Sequence, residues 1–81
     1  MKVRAQFYAQ LRELVGVHEL ELELPQGATV RELLEKIYAQ KPVLRAYDKS
    51  ILTGAGLEFV DRNYKLNPGE EMAIMPPVQG G

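Results

Sequence analysis

The residues that could do chemistry sit at the end of the sequence, in the run MPPVQGG (Met75 to Gly81). Glycine adds nothing to a core and loses more conformational entropy on ordering than any other residue. Two glycines therefore make poor packing and good reach. Pro76 and Pro77 lack a backbone N–H and hold φ near one value, so they end a sheet ladder and favour an extended chain. Val78 to Gly81 would then project as a slender arm. Gly80 and Gly81 permit close approach to another protein's backbone. The reactive group at the tip is the carboxylate of Gly81, ionised at neutral pH from a reference pKa of about 3.5. A carboxylate is a weak electrophile. Attack of its oxygen on the α-phosphate of ATP would convert it to an acyl-adenylate, from which sulfide or an amine could displace AMP.

Other chemistry is largely excluded. The sequence has no cysteine, which removes disulfides, thiolate metal sites, a cysteine nucleophile and cysteine-ligated iron–sulfur clusters. Its single histidine, His18, opens a strand-like alternation and reads as a surface or strand-edge residue. TGAG (Thr53 to Gly56) lacks the lysine and helix start of a phosphate loop and reads as a hairpin turn. No ATP-binding motif is present, so ATP would be used by an activating partner, with no cofactor bound by this chain. A net charge of −1 gives no nucleic-acid footprint. No apolar run is long enough for a membrane span, and the cytoplasm is the expected location.

Elements must position that arm. At 81 residues with 46% hydrophobic content, one small core is expected. KVRAQFY alternates, with Val3, Ala5 and Phe7 on one face, and predicts a half-buried strand. AQLRELVG predicts a short helix with Leu11, Leu14 and Val15 on one face and Gly16 as its stop. HELELEL predicts a strand whose outer face is acidic. Thr29 and Glu32 have capping-box spacing, followed by Val30, Leu33, Leu34 and Ile37 at helical intervals up to the break at Pro42. Val43 to Ser50 predicts no more than a helical turn using Leu44 and Tyr47, then loop. SILT and LEFV predict two short strands, and EEMAIM a last one with Met72 and Ile74 on one face.

The order predicts an α+β fold of β-grasp (ubiquitin-like) type: a mixed sheet of about five strands with one main helix across it. Residues 1–75 form the domain and 76–81 a flexible extended tail. The sequence also resembles the small, sulfur-carrying subunits of molybdopterin synthase. The resemblance spans the chain and is strongest in FYAQLRELVG (Phe7 to Gly16) and PGEEMAIMPPVQGG (Pro68 to Gly81). It departs from the family at ILTGAGLEFVD, where an asparagine of the middle hairpin is missing and a glycine is added.

The resemblance implies a cycle. A ubiquitin-activating-type adenylyltransferase would adenylate Gly81, which would become a thiocarboxylate. The tail would enter the large synthase subunit and give its sulfur to cyclic pyranopterin monophosphate, with Gly80 needed for fit. The catalytic groups would lie on the large subunit, in a heterotetramer of two large and two small subunits. Phe7, Leu11, Met75, Pro76, Pro77 and Val78 would face a partner, and Arg12 would meet a partner carboxylate. Three other readings stand beside this one: a carrier for thiamin or tRNA thiolation, a ubiquitin-like modifier joined to lysines through Gly81, and an interaction domain with an idle tail.

Overall fold

The computed structural model describes residues 1–77. In chain order it contains β1 (Lys2–Phe7), α1 (Ala9–Val15), β2 (Glu19–Glu23), α2 (Val30–Gln40), a 3₁₀ helix (Pro42–Ser50), β3 (Leu52–Ala55), β4 (Glu58–Val60) and β5 (Glu71–Met75). The strands form one sheet in the order β2-β1-β5-β3-β4. β1 and β5 are parallel at its centre, and the other pairs are antiparallel. This is the β-grasp arrangement.

β1, β2 and β5 alternate in burial, so the sheet has one inner apolar face and one outer face. Val3, Ala5 and Phe7 of β1, Leu22 of β2, and Met72 and Ile74 of β5 are buried. Val30, Leu33, Leu34, Ile37 and Tyr38 of α2 join them in a single core. α2 starts at a complete capping box. The Glu32 N–H donates to Thr29 Oγ1 at 3.5 Å, and the Thr29 N–H donates to Glu32 Oε1 at 3.2 Å. Two orphan donors of the first turn are thereby satisfied. Thr53, the one buried polar residue among the described residues, donates its hydroxyl to the Val60 carbonyl at 2.8 Å.

Three local expectations need correction. Leu14 does not join Leu11 and Val15: it is 37% exposed. The i, i+4 pair Leu11 and Val15 lies over the core, and this seven-residue helix buries only those two. Residues 42–50 are a continuous 3₁₀ helix that buries Leu44 and leaves Tyr47 exposed. Pro42 stands in its first turn, where a missing N–H costs no hydrogen bond. TGAG is mostly strand: β3 runs through Ala55, and the turn is Gly56–Leu57 alone. Gly56 has φ +61°, the glycine-first pattern of a two-residue hairpin.

Candidate functional site at the root of the C-terminal tail

β5 is a central strand, flanked by β1 and β3, and it delivers the chain to Met75, Pro76 and Pro77. Ile74 is fully buried and anchors this end of the strand. Met75, one residue on, points to the outer face and is half-buried, as are Ala73 and Pro76, while Pro77 is exposed. Met75, Pro76 and Pro77 thus lie at the surface where the sheet ends. Val78, Gly80 and Gly81 lie outside the described residues.

The outer face divides in two. Over β2 and β1 it is ionic: Lys2 pairs with Glu21 at 3.6 Å, and Arg4 lies between Glu19 at 3.8 Å and Glu71. Over β3, β4 and the Ala73 to Met75 end of β5 it is mainly apolar, although Glu58 also lines it. An open cavity of about 310 Å³ is lined there by Tyr8, Gly54, Leu57, Phe59, Ala73 and Met75 among others. Phe59 is 66% exposed and Leu57 fully exposed. Register explains the grouping. Gly54 pairs with both Ala73 and Phe59, and directly paired residues point to the same face. Sequence reasoning overlooked Tyr8, Leu57 and Phe59. The signal for Tyr8 was available: it is the next outward position after Lys2, Arg4 and Gln6.

Phe7 and Leu11, expected at a partner surface, are core residues with 0% and 2% exposure. Phe7 ends the inward series of β1, and Leu11 is the inward residue of α1, so neither side chain can meet a partner directly. Arg12 is exposed, and its Nε donates to the Phe7 carbonyl at 3.1 Å. It therefore ties α1 to the end of β1, while its charge remains at the surface. His18 is exposed, and its backbone carbonyl accepts from the Phe7 N–H at 2.9 Å.

Among the described residues no group of three or more His, Asp or Glu side chains is placed to hold a metal ion. No described helix is long and apolar enough to cross a membrane. What the described residues supply is a rigid strand end, an apolar surface beside it, and two prolines leading away.

Comparison with known proteins bears on what leaves that strand end. The molybdopterin synthase sulfur carrier subunit of Chlamydomonas reinhardtii is 36% identical to this chain, with 100% of each covered. Among solved structures, a Pyrococcus furiosus protein described as a candidate molybdopterin converting factor, subunit 1, superposes with a TM-score of 0.86 at 31% identity, covering 96% of this chain and 99% of that one. The small archaeal modifier protein 1 of Methanosarcina acetivorans gives a TM-score of 0.81 at 26% identity, covering 99% and 96%. The ThiS family profile matches residues 5–81, the whole of the sheet after Arg4 and the tail with it. With its fold, its strand end and its closing glycines all inside that match, the chain belongs to the ThiS family.

Proposed function

We propose that this chain is the sulfur-carrier subunit of a molybdopterin synthase. The observation that carries this reading is the full-length similarity to a carrier subunit of that enzyme, joined to a central strand that runs directly into PPVQGG. In the proposed cycle an oxygen of the Gly81 carboxylate attacks the α-phosphorus of ATP on an activating partner and pyrophosphate leaves. Sulfide then adds to the acyl carbon and AMP departs with the C–O bonding electrons, leaving a thiocarboxylate. In the large synthase subunit that sulfur passes to cyclic pyranopterin monophosphate, and water restores the carboxylate. The apolar half of the outer face, beside Met75 and Pro76, is the surface offered to these partners. The catalytic groups of the transfer lie on the large subunit, and the cycle belongs to the cytoplasm.

A second reading, a protein modifier, is favoured by the likeness to the archaeal modifier. It shares the adenylation step and replaces sulfide by a lysine amine. Both differ from an idle tail in one test. Deleting Gly81 should abolish ATP–pyrophosphate exchange by the cognate activating enzyme while leaving the unfolding midpoint unchanged, since the domain lies within the first 75 residues. Exchange that survives the deletion would contradict both carrier readings.

A further inference from the structure

TGAG plays no part in the tail chemistry above, yet its first glycine lies in mid-strand, where glycine weakens a sheet. The space it leaves is used. A Cβ on Gly54 would stand 3.2 Å from Met75 Cε and 3.7 Å from Ala73 Cβ. The Met75 side chain therefore lies across β3 over Gly54.

The other flank of Met75 is Tyr8. β1 and β5 run parallel with Phe7 opposite Ile74, and the Tyr8 N–H donates to the Ile74 carbonyl at 3.1 Å. This places Tyr8 and Met75 side by side on the outer face, lining one cavity. The tyrosine is fixed from several directions. Its hydroxyl donates to Gln6 Oε1 at 3.1 Å, and Gln6 Nε2 donates to Glu71 Oε2 at 3.2 Å. Directly after it the chain turns through Ala9 at φ +51°, the only non-glycine residue with positive φ among the described residues. That conformation is unfavourable for a residue with a Cβ, and the Arg12 bond to the Phe7 carbonyl holds the turn. Strain of this kind persists where the surroundings over-determine it.

Met75 is the last residue before Pro76 and Pro77, whose fixed φ carries the direction of the strand end outward. From this we infer that Tyr8 and Gly54 form a seat for the Met75 side chain and act as positioning residues that aim the tail into the activating enzyme. The inference rests on the carrier reading above. Ala at position 54 suits the test because it meets the freely turning methyl end of Met75, so the fold can absorb it.

The experiment uses full-length protein with ¹³C-labelled methionine methyls, the cognate activating enzyme, ATP and pyrophosphate. Tyr8→Ala and Gly54→Ala should shift the Met75 methyl resonance and leave that of Met72, fully buried in the core, in place. In both variants kcat for exchange should fall about tenfold, as expected for a misaimed reacting group, over and above any change in KM from altering the apolar surface. Tyr8→Phe keeps the ring and loses only the bond to Gln6, so it should shift the Met75 methyl less than Tyr8→Ala does. A shifted Met75 methyl with unaltered kcat, an unmoved methyl, a loss confined to KM, or a Met72 resonance that moves equally would each overturn the inference. Absence of exchange in the wild type, with a competent enzyme, contradicts the carrier reading instead, and the methyl resonances still decide whether the seat exists.

Discussion

Arg62 makes the most demanding set of bonds of any described residue. Its guanidinium donates to Asp48 Oδ1 at 2.9 Å, to the Asp48 carbonyl at 2.6 Å and to the Ile51 carbonyl at 3.1 Å. Tyr38, buried in α2, donates its hydroxyl to the same Asp48 oxygen at 2.6 Å. The clamp joins α2, the end of the 3₁₀ helix and the loop after β4. Arg62→Ala removes all three bonds and leaves two carbonyls to find water, a loss of about 2–3 kcal/mol in urea unfolding at neutral pH. Arg62→Lys should restore only part of it, since an ammonium lacks the fork. The Tyr38 hydroxyl, then Arg62, hold the Asp48 carboxyl below its ordinary value. Its folded pKa is thus lower than its unfolded one. The associated stability is present above about pH 4 and is lost as pH falls through the folded value. Asp48 is 42% exposed, so the slope is modest. Burial, then Asp48, push the Tyr38 hydroxyl up, so its contribution holds below about pH 10 and fades above. Asp48→Asn should flatten the acid limb of a pH–stability curve. This clamp was not legible in the sequence: its members lie 10 and 14 residues apart, and polar contacts of that range leave no periodicity.

At the scale of elements the sequence spoke more clearly, because short-range rules decide them. Gly16 at φ +78° ends α1, and Thr29 with Glu32 opens α2, as spacing alone foretold. Thr29→Ala should cost about 1 kcal/mol, read as a lower unfolding midpoint, with activation by the partner unchanged because α2 lies on the sheet's other face from the tail root. The strand alternations were equally plain for β1, β2 and β5, each of which has one wet face. The 3₁₀ helix escaped notice because PVLRAYDKS buries only Leu44, and one buried residue makes no pattern. The β3–β4 hairpin was blurred for a different reason. Gly54 and Gly56 look alike in sequence, but only Gly56 makes the turn, while Gly54 makes room for Met75. Close packing between strands distant in sequence separates them, and no local rule reports it. Phe7 and Leu11 follow the same logic: apolar residues near a reactive segment are ambiguous until burial assigns them to the core.

The whole molecule is a small platform built to present one strand end. Core, capping and clamp lie on the inner side of the sheet; the ion pairs of β1, β2 and β5 cover half of the outer side. The other half is left apolar beside Met75. Exposed ion pairs of this kind contribute about 0–1 kcal/mol each, so little of the fold's stability rests on them. On the proposed reading, the platform presents a carboxylate that another protein activates. The most direct measurement incubates the purified protein with its cognate activating enzyme, ATP and a sulfur source, alkylates thiols, and reads intact mass. Alkylation matters because oxidation of Met1, Met72 or Met75 adds nearly the same mass as exchanging oxygen for sulfur, whereas a chain without cysteine offers no other thiol. The account predicts a single ATP-dependent adduct that maps to Gly81. An unalkylated chain, with the same enzyme shown to load another carrier, would contradict it.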